Sequence, residues 1–145
     1  DPGPLRGRLL GGNLTVLSSL VGSLEAPFFK NEILCLEDVG ERPYRLDRSL
    51  EQLIQSGALD GVSAVIIGQF SRCDEVKANE VTLSGHDVVV DRLRELKIPV
   101  FHGASFGHES SSTSFIHGAF VEILETQSGE FSVRPAHYEP PGAVA

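Results

Sequence analysis

The sequence predicts an α/β domain, a mostly parallel sheet flanked by helices with an antiparallel hairpin at its end. Short apolar runs at residues 32–36, 64–70 and 98–101 have the length of buried strands. Segments with helical spacing of apolar side chains separate them. Ser128-Gly129 then sits between two strand-like runs, as a hairpin turn would.

In chain order, Gly11-Gly12-Asn13 precedes a helix over 14–22, which Asn13 can cap with its side-chain oxygen and Gly22 can close in the left-handed conformation. Residues 32–36 form the first buried strand. Arg45 to Gln55 is an amphipathic helix: Leu46, Leu50, Leu53 and Ile54 follow one another at i, i+4, i+7 and i+8, with Gly57 beyond its end. Ala64 to Phe70 is continuously apolar apart from Gly68 and Gln69, hence a strand covered on both faces. Residues 71–83 are polar and predict a mobile loop. Ser84 and Asp87 have capping-box-like spacing at the head of a second amphipathic helix, with Val89, Leu93 and Leu96 on one face. Ile98 to Phe101 is the next strand. Phe115 to Leu124 predicts a long one, turned by Ser128-Gly129 into Phe131-Ser132-Val133.

The chain has 145 residues, 41% of them hydrophobic, and a net charge of −8. That length suits one domain burying roughly two-thirds of its unfolded surface. The acidic balance argues against nucleic acid or an anionic lipid surface as the main partner, since both reward basic patches. No stretch approaches the ~20 continuous apolar residues of a membrane span. Two cysteines, Cys35 and Cys73, make no disulfide framework, so a cytoplasmic location is expected. The chain has no methionine and opens Asp1-Pro2-Gly3-Pro4, which suggests a domain cut from a longer protein. Residues 1–6 read as a linker remnant, 7–134 as the domain and 135–145 as a tail.

Two places carry chemistry. Glu37 and Asp38 end an apolar strand and lead toward a segment stiffened by Pro43. His108 follows a later strand within Phe106-Gly107-His108. Consecutive parallel strands deliver their carboxyl ends to one edge of a sheet, so a carboxylate and an imidazole could meet there. A glutamate bonded to one ring nitrogen fixes the tautomer and stabilises the imidazolium. The bland alternative is a pair of solvated turn carboxylates and a structural loop histidine. The other histidines are weaker candidates: His86 at the surface, His102 at a strand end, His117 in the final sheet and His137 in the tail. No HExxH, CxxC or phosphate loop is present, so neither a metal nor a cofactor is expected. Ser110, Ser111, Ser112 and Ser114 crowd the loop after His108 but lack the strained strand-to-helix elbow of a nucleophilic serine.

Gly11-Gly12-Asn13-Leu14, Leu36-Glu37-Asp38 with Tyr44-Arg45 and Asp47-Arg48, Gln52-Leu53 with Gly57, Ile67-Gly68-Gln69-Phe70, Ile98-Pro99-Val100 and Phe106-Gly107-His108 occur in this order. In sequence and spacing they resemble the carboxyl-terminal domain of the LD-carboxypeptidase (murein tetrapeptide carboxypeptidase) family, which includes the microcin C immunity peptidases. The likeness covers about residues 7–134. It implies a swivelling β/β/α-type domain supplying Glu37 and His108 of a Ser-His-Glu triad, with the serine on an amino-terminal domain that this chain lacks. It further implies a metal-free enzyme that removes D-alanine from cytoplasmic murein tetrapeptides and forms a homodimer. One departure stands out. Where the family has a Thr-Leu-Pro-Leu-Gly-like segment, this chain has Ser114-Phe115-Ile116-His117-Gly118, without the proline. Two other readings stay open: an immunity-type peptidase acting on aminoacyl-nucleotides, and a non-catalytic binding module.

Overall fold

A computed structural model describes residues 4–23, 25–77, 80–126 and 128–137. The elements run β1 (Leu5–Asn13), α1 (Leu14–Ser19), β2 (Ile33–Val39), α2 (Pro43–Gln55), β3 (Ala64–Ser71), β4 (Glu75–Lys77), β5 (Glu80–Leu83), α3 (Gly85–Glu95), β6 (Val100–His102), β7 (Phe120–Glu125) and β8 (Phe131–Pro135). Six strands make one sheet in the order β6-β3-β2-β1-β7-β8, and β4 with β5 forms a separate hairpin. The pairings β1–β2, β2–β3 and β3–β6 are parallel, while β1–β7 and β7–β8 are antiparallel. The expected mixed sheet with a terminal hairpin is therefore present.

The period of two along a strand divides the core in two. Leu34 and Leu36 of β2 and Val65 and Ile67 of β3 pack against α1, α2 and α3 through Leu14, Leu46, Leu50, Leu53, Val89 and Leu93. Ile33, Cys35, Ala64 and Ile66 face the other way, against Leu9, Phe101, Phe106, Val121 and Ile123. The rings of Phe101 on β6 and Phe131 on β8 lie 5.2 Å apart, although these strands are the two edges of the sheet. The sheet is thus curled until its edges nearly meet, a shape close to a barrel.

Both helix caps follow the sequence. Asn13 accepts the Val16 N–H at 3.0 Å and Ser84 accepts that of Asp87 at 3.3 Å. The helix expected from Arg45 starts two residues earlier because Pro43 suits a first helical turn.

Several expectations change. β2 extends through Val39, so Glu37 and Asp38 lie in the sheet and are buried, not in a turn. Residues 71–83, expected as a mobile loop, contain the β4–β5 hairpin. The strand expected from Phe115 begins only at Phe120, because Gly118 turns the backbone at φ +84°. His117 consequently precedes the sheet. Leu5 and Arg6, read as linker, pair with Ile123 and Glu122. Pro135, read as tail, pairs with Val121; residues 138–145 of that tail lie outside the described residues.

On the helix-side face of β1, β7 and β8, buried Glu122 accepts from Arg6 Nε at 3.1 Å and from Arg134 Nε at 2.6 Å. The Arg134 hydrogen bond, more than burial opposes it, holds the Glu122 carboxyl below its ordinary value, with Arg6 adding to the effect. No helix among the described residues is long and apolar enough to cross a membrane.

Candidate active site

Glu37 stands opposite Asn13 where the parallel strands approach their carboxyl ends. By alternation it shares the face of Ile33 and Cys35, away from the helices. The segment linking β6 to β7 crosses that face and carries His108. His108 Nδ1 lies 2.7 Å from Glu37 Oε2. The glutamate side chain is 8% exposed and the imidazole 50%. A carboxylate only accepts, so Nδ1 carries the proton of this bond, and in the neutral imidazole Nε2 then holds the lone pair. That nitrogen has no partner among the described residues. The two residues singled out in the sequence, 71 positions apart, are brought together.

Asp38 does something else. Its side chain lies on the helix face, where it accepts from Asn13 Nδ2 at 2.8 Å, Thr15 N at 2.9 Å and Thr15 Oγ1 at 2.8 Å. It ties the start of α1 to β2.

The histidine segment approaches β3 closely for two reasons. Leu36 pairs with Ile67, but Asp38 pairs with Phe70, so two steps on β2 face three on β3 and the strand bulges at Gly68 and Gln69. A Cβ on Gly68 would stand 2.5 Å from the Phe106 carbonyl oxygen and 2.6 Å from its ring. Glycine is the residue that lets Phe106 lie across the strand. Gln69 N–H donates to that carbonyl at 2.8 Å. Phe106, packed edge-on against Phe115 at 5.3 Å, is consequently buried. The sequence signal for this arrangement was Ile67-Gly68-Gln69-Phe70, a glycine inside a strand. Gln69 itself was missed.

An open groove of about 310 Å³ runs beside Glu37, between Gly12, Phe106, Gly107, Thr113, Ser114 and Phe115. Gly12, at φ +142°, has open space where a Cβ would stand. Of the weaker histidines, His86 and His102 stack edge-on at 5.8 Å, and His117 Nε2 accepts a long 3.4 Å bond from Gly11 N. Among the described residues no group of three or more His, Cys, Asp or Glu could hold a metal ion. No serine hydroxyl among them is hydrogen-bonded to the His108 ring. Both cysteines are buried, and burial pushes the Cys35 thiol up to about 12, far from a thiolate nucleophile.

Residues 6–123 match the LD-carboxypeptidase C-terminal domain. The chain belongs to the LD-carboxypeptidase family. It is 44% identical to a putative carboxypeptidase of Synechocystis over 121 residues, 83% of this chain and 40% of that protein. It is 35% identical to the murein tetrapeptide carboxypeptidase of Pseudomonas aeruginosa, covering 83% of this chain and 38% of that one. Among solved structures, the muramoyltetrapeptide carboxypeptidase of Oxalobacter formigenes superposes with a TM-score of 0.78 at 30% identity, over 94% of this chain and 47% of that chain. A complex of MccF with glutamyl sulfamoyl guanosine shares the fold, with a TM-score of 0.73 at 23% identity over 95% of this chain and 40% of that one. The LD-carboxypeptidase domain described here thus spans less than half the length of these relatives.

Proposed function

We propose that this chain is the acid–base half of a serine-type LD-carboxypeptidase, with Glu37 and His108 working on a serine supplied by an amino-terminal domain. The 2.7 Å bond between His108 Nδ1 and Glu37 Oε2 carries the reading. It leaves Nε2 unpartnered on a half-exposed ring, where a hydroxyl from a facing domain could reach it. The substrate favoured is a murein tetrapeptide, since relatives above 30% identity are named for murein peptides.

His108 Nε2 takes the serine proton as the serine oxygen attacks the carbonyl of the L–D peptide bond. The imidazolium returns that proton to the departing amine of D-alanine, and an acyl-enzyme remains. Water then gives a proton to Nε2 while its oxygen attacks the ester, and the proton passes back to the serine as it leaves. Glu37 stabilises the imidazolium in both halves without being protonated itself. Cytoplasmic murein recycling and a homodimeric assembly complete this reading.

D-alanine release from a murein tetrapeptide by the complete polypeptide tests it. His108→Ala and Glu37→Gln should each lower kcat by roughly 10³-fold or more. The present chain alone should release none. Full activity in either variant, or in the isolated chain, would overturn the assignment. An aminoacyl-nucleotide amide offered in the same assay decides between substrate classes.

A further inference from the structure

We propose that Ser112 and Gln69 are positioning residues for His108, a side-chain clamp that runs from the bulge of β3 to the peptide bearing the imidazole. The inference rests on the reading of His108 as the general base.

The segment from Gly103 to Ala119 has no regular structure, yet His108 within it must meet Glu37 to within a fraction of an ångström. Thr113 N–H donates to the Ser105 carbonyl at 2.7 Å and closes the neck of the loop that carries the histidine. Inside that loop the Ser112 hydroxyl lies 2.9 Å from the Gly107 carbonyl oxygen and 3.0 Å from Gln69 Oε1. One hydroxyl proton cannot serve two acceptors fully. The proton is shared between the two oxygens as they stand; turning the Gln69 amide over would let its N–H donate to Oγ and leave the hydroxyl proton to the Gly107 carbonyl. Gln69 makes no other side-chain bond among the described residues.

The position of this relay gives it a purpose. The Gly107 carbonyl and the His108 N–H belong to one peptide plane, so holding the carbonyl fixes the direction in which the His108 side chain leaves the backbone. Gly107 is at φ +137°, and a Cβ there would stand 3.0 Å from Gln69 Cβ. Glycine permits both the conformation and the approach. Ser112, one of the serines after His108, thereby acquires a role other than nucleophile.

In the complete enzyme, Ser112→Ala should lower kcat roughly 10-fold to 100-fold with little change in KM, because misplacing a catalytic group acts on the chemical step. Gln69→Leu should act in the same direction. Ser112→Thr, which keeps the hydroxyl, should restore most of the loss. Nitrogen-15 spectra of the imidazoles should show His108 leaving its Nδ1–H tautomer in Ser112→Ala. If Ser112→Ala changes neither kcat nor the His108 spectrum while His108→Ala is inactive, the clamp is wrong and the acid–base reading stands. If Ser112→Ala lowers only thermal stability, the clamp is likewise wrong. An active His108→Ala overturns both.

Discussion

Glu37 and Asp38 are neighbours on one strand and serve opposite faces of the sheet: Glu37 meets His108 at 2.7 Å, while Asp38 binds Asn13 and Thr15 beside α1. Adjacent carboxylates of equal formal charge therefore hold separable roles. One faces the groove, and the other fastens a helix.

Asp38→Ala should destabilise the fold by about 3 kcal/mol or more, since three donors of Asn13 and Thr15 lose their acceptor in a buried place. Glu37→Gln keeps an acceptor for His108 Nδ1 and should cost less than about 1 kcal/mol. Urea midpoints of the two variants check the ranking. A Glu37→Gln variant less stable than Asp38→Ala would contradict it.

Gly68→Ala should be costly although its backbone needs no positive φ. The added methyl meets the carbonyl and ring of Phe106, neither of which can withdraw without moving the histidine segment. Overpacking of this kind costs about 1–3 kcal/mol. Loss of the Glu37–His108 hydrogen bond, seen as a change in the His108 imidazole resonances, should accompany the lowered midpoint.

Acid should weaken the β1–β7–β8 side of the sheet through Glu122. Its folded-state pKa lies below its ordinary 4.5, first because of the Arg134 hydrogen bond. The stability this supplies is present above the unfolded-state value and is lost as pH falls through the folded-state one. Wild type should therefore lose more stability than Glu122→Gln between about pH 6 and about pH 3. Parallel acid slopes for the two proteins would remove Glu122 from the account.

Most of the architecture was legible because buried parallel strands are short apolar runs and the helices between them keep helical spacing. What escaped detection has physical reasons. β1 contains Gly7 and Gly11, which resemble turn residues; yet a Cβ on Gly7 would stand 2.8 Å from the Asn31 carbonyl oxygen, and one on Gly11 2.2 Å from that of Cys35. These glycines permit close backbone approach within the sheet. Glu37 and Asp38 looked like the end of a strand because carboxylates seldom continue one. Carried two residues further, the alternation would have told them apart, Glu37 with Cys35 and Asp38 with Leu36. The meeting of Glu37 with His108 followed from topology and family likeness. The bulge that admits Gln69 and Ser112 beside the histidine appears only when registers are counted.

The place of β1 has a consequence for how the protein is made. It is the first described strand of this domain and lies inside the sheet, between β2 and β7. Its antiparallel neighbour is distant in sequence: the Arg6–Glu122 contact spans 116 residues. During synthesis from the amino end, β2 arrives early to cover one side of β1, whereas β7 emerges after every other described strand except β8. Until then β1 offers a bare row of amides and carbonyls with Leu5 and Leu9 beside it, the kind of edge on which chains pair with one another. Any product truncated before Phe120 retains that edge permanently. Within this domain, the first strand made is the one that waits longest for protection.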